Sequence, residues 1–470
     1  MRLGRLSIST VAVALVVSVA VAPSWSAVAP SWSAGATLRT CAPASEPKVV
    51  FPLSSPSTRS GRGAILWLGG APNCSGGGST STTLDSATLH NNDLASAPRA
   101  IISGRQLVGP LSTAATTAGQ IVAVVGDTRI ASRGGPGAIL GEGPAASSLW
   151  RLVPLGGPAA LVATAVGYIG DAAVAVAAAM PGSAQAILLY QQRHYASAFS
   201  GPITLTEGSA PITALTVALD FRADSIVLWA QAGVIHAQWI TNAGRVYPAE
   251  VLGPAGYHPQ IAAMLSDNNH AFAMWSYEPP PGADGPSTIY LEHSGNNSRV
   301  AFSGQPSTLV QFTEPPALRL TPGSLALERM TPSEGVLAVW TFVQRGSYVV
   351  NVAGLVSSHA LPAATLAQRG ADLRLAAVAT GPHNDAVAVI ERAPRAAAGF
   401  NATAQAILAA RTVPGGPGGT AFETPTPLAP PGPNSAASVA VDPATDRAVV
   451  AWQTIVGGLP SVAYAVRGGP

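Results

Sequence analysis

Side chains able to bind a ligand or move a proton are concentrated in three loop stretches of the sequence. They combine aromatic, acidic and basic types, and they are Tyr257, His258, Tyr277, Glu278, Asp284, Glu391, Arg392 and Arg395. Aromatic and arginine side chains are common anchors of binding surfaces. Two carboxylates held about 5–10 Å apart, such as Glu278 and Glu391, would instead form the acid–base pair of a glycoside-cleaving site. The residue types therefore predict a binding surface, and a polysaccharide hydrolase or lyase is the alternative.

Metal and phosphate sites have no support in the sequence. The eight histidines are spaced singly, and neither His-x-His nor His-Glu-x-x-His occurs. The segment Asp267–Asn269 lacks the alternating acids of a calcium loop and is interpreted as a turn, as are Asp220, Asp442 and Asp446. The glycine-rich segment 415–419 contains proline and no Lys-Ser/Thr pair. We expect no metal and no cofactor.

A short apolar run recurs along the chain at intervals of 46 to 65 residues. Its eight copies end at Trp67, Val125, Ala177, Trp229, Trp275, Trp340, Ile390 and Trp452. Five of the nine tryptophans therefore occupy the same position of the repeat. A fixed period of tens of residues is typical of solenoids and propellers.

Each repeat predicts four β-strands. An apolar stretch, a turn, the apolar run, a loop and an alternating segment follow one another, and a fourth extended stretch such as 202–206 often comes next. The second strand is apolar throughout, which indicates burial on both faces, whereas the outer strands alternate. No stretch of a dozen residues has the apolar stripe of a helix. We predict an all-β fold, a β-propeller of seven or eight four-stranded blades, with tandem β-sandwiches or a β-solenoid as alternatives.

In repeat length and strand number the chain resembles the secreted bacterial β-propellers. The segment Ala448–Gln453 is similar to a core motif of actinobacterial propeller-like repeat proteins, and this motif carries no chemistry. The resemblance to sialidase-type propellers is architectural, because their Ser-x-Asp-x-Gly-x-x-Trp turns and their early Arg-Ile-Pro are absent. The last repeat ends with its third strand at Arg467. A strand within Thr37–Phe51 is therefore expected to complete that blade and close the ring.

Strand parity predicts where the candidate residues lie. In a four-stranded meander, the loop after the second strand and the connection to the next blade emerge at the same end. The long loops of the sequence fall at that end, at 69–81, 278–287, 391–404 and 415–433. Loops on a rigid scaffold are frequent positions for binding groups. We expect the candidate residues to share this loop-rich face.

The first residues have the pattern of a signal peptide. Arg2 and Arg5 precede an apolar run at 11–22, and Ala34–Ala36 offers a small-x-small cleavage site. We expect a leader at 1–36 and a single propeller domain at 37–470. An uncleaved membrane anchor is the alternative, but the apolar run is shorter than the ~20 residues that a spanning helix needs.

Two further features concern the exported chain. A repeated segment makes Ser26 and Ser33 alternative cleavage positions. Cys41 and Cys74 lie beyond all of these positions, and in an oxidising exterior they are expected to form a disulfide; two buried free thiols are the other interpretation. We expect a secreted, extracellular protein with no transmembrane segment after cleavage.

The content and distribution of charged residues limit the classes of molecule that the protein is expected to bind. Charged residues are 10% of the chain, the net charge is +2, and the basic residues are scattered arginines with Lys48 as the only lysine. A nucleic-acid binder needs a clustered basic stripe, so no nucleic-acid partner is expected. We expect a monomeric, non-catalytic scaffold that binds a glycan, a peptide or an envelope protein; a purely structural envelope protein is a further alternative.

Overall fold

The computed structural model shows an all-β protein. It describes residues 31–38, 44–51, 63–70, 82–90, 95–115, 120–127, 137–144, 150–166, 171–180, 184–192, 199–220, 222–266, 270–280, 283–294, 302, 304, 306–312, 324–329, 336–356, 359–360, 363–381, 386–395, 405–415 and 419–468. Within these ranges there are 33 strands and no helix. Accordingly, nothing in the described part of the chain is a helix that could span a membrane.

The strands form eight antiparallel blades of four strands each, the upper of the two predicted numbers. Blade 1 consists of β2 (Ser45–Val50), β3 (Ala64–Gly69), β4 (Thr83–Thr88) and β5 (Arg99–Ile102). Blade 2 consists of β6 (Leu107–Ala115), β7 (Gln120–Asp127), β8 (Gly137–Pro144) and the first half of β9 (Arg151–Val166). Blade 3 consists of the second half of β9, β10 (Ala172–Ala179), β11 (Gln185–Gln192) and β12 (Ile203–Gly208). Blade 4 consists of β13 (Ile212–Leu219), β14 (Ser225–Gln231), β15 (Val234–Ile240) and β16 (Glu250–Pro254).

The remaining blades follow the same order. Blade 5 consists of β17 (Ile261–Leu265), β18 (Ala271–Tyr277), β19 (Ser287–His293) and β20 (Ser307–Phe312). In blade 6, β21 (Leu325–Arg329), β22 (Val336–Gln344) and β23 (Ser347–Val356) pair with an outer strand in two pieces, β24 (His359–Ala360) and β25 (Ala364–Leu366). Blade 7 repeats this with β26 (Ala371–Thr380), β27 (Ala386–Pro394) and β28 (Gln405–Gly415), whose outer pieces are β29 (Gly419–Phe422) and β30 (Thr426–Gly432).

Blade 8 closes the ring with strands from both ends of the described chain. Its inner three strands are β31 (Ser435–Val441), β32 (Ala448–Val456) and β33 (Leu459–Arg467), and its outer strand is β1 (Ala36–Leu38). β1 pairs with β33 in the register Ala36–Tyr464, Thr37–Ala463 and Leu38–Val462. The expected closing strand is therefore present, beginning one residue before the predicted segment. The first strands of successive blades lie side by side, and β31 returns to β2.

Eight apolar cores separate the blades, one at each junction. The second strand of each blade contributes to the cores on both of its faces, which explains why it is apolar at every position. The five repeat tryptophans are 0–2% exposed, and each faces the blade before its own. These are Trp67, Trp229, Trp275, Trp340 and Trp452.

The repeat alignment is wrong by one residue in blade 3. Ala177 was aligned with the tryptophans, yet it packs in the core shared with blade 4. Val176 and Ala178 face blade 2 instead. A shift of one residue along a strand moves a side chain to the opposite face of the sheet, and an alanine-rich strand offers no large side chain that fixes the register.

Candidate functional site

The ring has two faces, which we define by the loops they carry. The upper face carries the loops between second and third strands and the connections between blades, and the lower face carries the remaining turns. The eight candidate residues all lie towards the upper face, as strand parity predicts, but Glu391 and Arg392 belong to strand β27 and not to the loop predicted at 391–404, because β27 extends to Pro394. They fall into two groups in different blades. Five lie where blade 4 meets blade 5 (Tyr257, His258, Tyr277, Glu278, Asp284), and three lie at the upper end of blade 7 (Glu391, Arg392, Arg395).

The connection from blade 4 to blade 5 is held tightly against the end of β18. The Tyr257 amide donates a hydrogen bond to the Glu278 carbonyl at 2.8 Å. Gly256 has φ +62°, and a Cβ there would lie 2.3 Å from the same carbonyl and 2.8 Å from the Tyr277 ring. Only glycine fits so close an approach with this backbone conformation. Two hydrogen bonds of 2.9 Å between Gln260 and Ser276 fix the other side of the connection.

This connection presents an aromatic patch, which we define as Tyr257, His258 and Tyr277. The Tyr257 and His258 rings meet edge to face with their centroids 3.9 Å apart. Tyr257 is 38% exposed, His258 is exposed and Tyr277 is half-buried. His258 has φ +52°, a left-handed conformation in which histidine is over-represented among non-glycine residues. The patch is therefore a pre-organised apolar surface with polar tips.

The two glutamates proposed as an acid–base pair lie in different blades. Glu391 is 3% exposed and accepts a hydrogen bond from Arg374 Nε at 3.0 Å within blade 7. Glu278 is 5% exposed and belongs to blade 5. Blade 6 lies between them, and each carboxylate is buried in its own blade. This placement weighs against the glycosidase alternative, which requires both carboxylates to flank one substrate bond.

The blade 7 group joins that blade to blade 6. Arg395 Nη2 donates to the Arg345 carbonyl at 3.3 Å, and the Arg395 amide donates to the Gly370 carbonyl at 3.1 Å. Asp372 is 1% exposed and accepts a hydrogen bond of 3.0 Å from the Tyr348 amide. Burial raises the pKa of Asp372, and this hydrogen bond and the positive charge of Arg395 oppose the rise. These contacts hold two blades together.

The aspartates interpreted as turn residues do form turns. Asp220 Oδ1 accepts hydrogen bonds from the amides of Arg222 and Asp224, at 2.8 and 2.9 Å. Asp442 accepts from the Ala444 amide at 2.9 Å and from the Thr445 hydroxyl at 2.7 Å. Both are Asx turns on the lower face. Burial, with the neighbouring Asp224 charge, raises the pKa of Asp220 to about 6.

Two sequence-based predictions concern parts of the chain without a structural description. Asp267–Asn269, interpreted as a turn, and the cysteine pair Cys41 and Cys74 lie outside the described residues. Within the described residues, no group of three or more His, Cys, Asp or Glu side chains is arranged to hold a metal ion.

Sequence reasoning missed the titratable residues of the inner strands. Burial lowers the pKa of Lys48 on β2, and the nearby Glu46 carboxylate opposes this shift. Burial also raises the pKa of Glu328 on β21 to about 8, although a hydrogen bond with the Thr380 side chain acts in the opposite direction. The available signals were that Lys48 is the chain's only lysine and that Glu328 directly follows the apolar residues Leu325–Leu327 of its strand.

Comparison with known proteins gives distant likenesses. No family model and no curated protein matches the chain. A polysaccharide lyase described as a PL25 ulvan lyase is 9% identical, with a TM-score of 0.44, over 85% of this chain and 96% of that one. A protein of unknown function from Dyadobacter fermentans is 11% identical, with a TM-score of 0.41, over 94% and 99%. An α-L-arabinofuranosidase from Fusarium graminearum is 12% identical, with a TM-score of 0.37, over 77% and 93%. Likenesses of this size assign no activity to the chain.

Proposed function

We propose that this protein is a secreted, non-catalytic propeller that binds a glycan through the aromatic patch on its upper face. The observation that carries the proposal is the fixed, exposed edge-to-face pair of Tyr257 and His258. An aromatic ring offers an apolar face to the C–H side of a sugar, and its polar tip can hydrogen-bond a hydroxyl. Because the connection is already clamped by Gly256 and Gln260, binding would order little additional chain, which favours affinity.

The absence of catalysis is part of the proposal. It is supported by the burial of Glu278 and Glu391 in separate blades and by the ion pair between Glu391 and Arg374. The exposed Asp284 lies in the loop that follows Tyr277 at the end of β18 and can accept hydrogen bonds from sugar hydroxyls. A peptide or an envelope protein as the ligand, and a purely structural role, are the competing outcomes of the test.

The test is a panel of immobilised polysaccharides and peptides probed with the purified chain and two variants. We expect saturable binding to a polysaccharide, at least tenfold weaker binding by Tyr257→Ala, and unchanged binding by Val251→Ser, an exposed control on β16 of blade 4. A tenfold loss corresponds to about 1.4 kcal/mol, a reasonable value for one aromatic contact. Binding to peptides alone, or equal binding by the Tyr257 variant, would overturn the proposal. Release of new reducing ends or unsaturated sugars would overturn its non-catalytic part.

Export by a signal peptide is proposed with an earlier cleavage position. Ser33 donates its amide to the Val466 carbonyl at 2.7 Å, and its Oγ accepts from the Val466 amide at 2.9 Å. Trp32 forms a bridge with Arg467. Cleavage after Ser26 retains this pairing, whereas cleavage after Ala36 removes it. The N-terminal residue of protein recovered from the culture medium tests this point: Ala27 supports it, and Thr37 or retention in the cell contradicts it.

A disulfide between Cys41 and Cys74 and a monomeric state complete the proposal. The bridge would join the segment after β1 to the loop that follows β3 of blade 1. Mass spectrometry after alkylation without reduction should find no modified cysteine. Light scattering should give the mass of one chain.

A further inference from the structure

A cavity on the lower face lies between blades 7 and 8, away from the aromatic patch. Its volume is about 280 Å³. Val387 and Ala409 form its apolar floor, and both belong to the core shared by the two blades. The volume is just below the range of about 300–1,000 Å³ that is usual for small-molecule pockets. The cavity therefore has room for one sugar ring and not for a chain of them.

Two arginines line this cavity. Arg467 is the last residue of β33 and is 8% exposed. Arg411 lies on β28, and its Nη2 is 3.9 Å from Asp446 Oδ2, with 24% of its side chain exposed. A separation of 3.9 Å is at the outer limit of an ion pair, so Asp446 lies beside the Arg411 guanidinium at the cavity. Guanidinium groups bind carboxylates through paired hydrogen bonds, and two of them at one cavity favour an anionic ligand.

An aromatic wall stands beside the arginines. Trp32 lines the cavity, is half-buried and packs on the core between blades 7 and 8. Its segment is fixed to β33 through Ser33, so the indole is positioned by backbone hydrogen bonds and not by its own packing alone. Glu423, Thr424 and Thr426 are exposed at the rim and offer hydrogen-bonding groups to hydroxyls.

We propose that this cavity binds a sugar acid, a single ring that carries a carboxylate. Arg411 and Arg467 bind the carboxylate, the Trp32 indole packs on the C–H face of the ring, and the rim residues hydrogen-bond its hydroxyls. The cavity lies on the lower face and the aromatic patch on the upper face, so the two proposed sites are independent of each other. It also depends on residues upstream of β1, because Trp32 supplies its aromatic wall.

The test is calorimetric titration of the full chain with glucuronate, with glucose as the neutral match and acetate as the carboxylate without a ring. We expect saturable binding of glucuronate and at least tenfold weaker binding of the other two. Arg411→Gln should weaken glucuronate binding at least tenfold, since a charge-assisted hydrogen bond is lost, and the thermal midpoint is recorded to show that the variant is folded at the titration temperature. Trp32→Ala should weaken it as well, whereas Arg369→Gln, an exposed arginine on the upper face, should not.

Three results would overturn the proposal. The first is no saturable binding of glucuronate at concentrations up to about 10 mM. The second is equal affinity for glucuronate and glucose, or for glucuronate and acetate. The third is unaltered glucuronate binding by Arg411→Gln. Tyr257→Ala should leave glucuronate binding unchanged, so that failure at this cavity and failure at the aromatic patch can be distinguished.

Discussion

The repeat tryptophans show how single residues set the spacing of the blades. Trp275 is fully buried, and its Nε1 donates to the Pro254 carbonyl of the preceding blade at 3.1 Å. Gly253 lies so close that a Cβ there would be 2.9 Å from the indole. Trp275 thus both fills the junction of blades 4 and 5 and hydrogen-bonds across it.

Replacing this tryptophan tests that role. Trp275→Ala should lower the free energy of unfolding by about 3–5 kcal/mol, because a large cavity is left in the core. Trp275→Phe keeps an aromatic ring but loses the hydrogen bond to Pro254, so a smaller loss is expected. Urea unfolding of the three proteins measures both changes. A loss below about 1 kcal/mol for the alanine variant would contradict this account.

Glu328 gives a prediction about pH. Its pKa in the folded protein is about 8, against 4.5 for an unburied glutamate, so the folded state holds the proton more tightly. The contribution of this group to stability must then fall as pH rises from about 4.5 to 8, and it is constant above that range. Glu328→Gln should gain stability relative to the natural chain as pH increases from 5 to 9.

The pH prediction has a matched control. Glu207→Gln alters an exposed glutamate on β12 and should follow the natural chain at every pH. Chemical unfolding at pH 5, 7 and 9 provides the comparison. A constant difference between Glu328→Gln and the natural chain across these pH values would show that Glu328 is ionised in the folded protein throughout.

Individual residues also mark the limits of sequence reasoning. The tryptophan position was predictable because five large side chains share it, whereas the alanines of β10 allowed an alignment that was wrong by one residue. The ion pair of Glu391 with Arg374 was not predictable, because it joins neighbouring strands whose register depends on a β-bulge between Leu375 and Ala377.

Among the elements, the hairpin of β32 and β33 carries a second exposed apolar surface. Ile455, Val456 and Leu459 at its tip are 47–50% exposed. Gly457 and Gly458 connect the strands with φ values of +60° and +82°. Two consecutive left-handed residues form the type of two-residue turn that matches the twist of a hairpin.

The turn can be tested separately from the apolar tip. Gly458→Val should destabilise the protein by about 1–2 kcal/mol, since a β-branched residue is strained at positive φ. Leu459→Thr removes an exposed leucine and should change the free energy of unfolding by less than about 0.5 kcal/mol. Thermal unfolding of both variants checks the contrast. Equal effects would mean that the tip, and not the turn conformation, determines the stability of the hairpin.

For the whole molecule, closure of the ring rests on the short strand β1. Leu38 is 6% exposed in the core between blades 8 and 1, and Trp32 packs in the core between blades 7 and 8. The segment 32–38 therefore stabilises both junctions of blade 8, although only three of its residues form the strand.

Removal of residues 31–38 should lower the free energy of unfolding by about 3–5 kcal/mol, because the buried contacts of one tryptophan and one leucine are lost. It should also promote aggregation, because the edge of β33 is left unpaired. Removal of residues 1–26 is the control and should leave the unfolding midpoint unchanged. Urea unfolding and light scattering measure the two effects; equal stability of both truncated chains would contradict a closing role for β1.

The architecture was largely predictable from the sequence, because the repeat recurs in every blade and each copy contains a second strand that is apolar on both faces. The position of the candidate residues on one face followed from strand parity alone. Their division into two groups did not, since it depends on how eight blades are spaced around the ring. The cavity between blades 7 and 8 was missed because its arginines and Trp32 come from segments that are distant in sequence and carry no motif.

The pairing of Ser33 with Val466 joins residues 433 positions apart in the chain. We call this contact the seam of the ring. During synthesis Ser33 is made long before Val466, so the seam can form only after nearly all of the remaining chain has been synthesised. Contacts of such long sequence separation form late and slowly. The position of the seam is not fixed by the geometry of the ring, because every junction is an apolar core between two neighbouring blades. A circularly permuted chain, in which residue 468 is linked to residue 31 and a different interblade connection is opened, should build the same ring with its seam elsewhere.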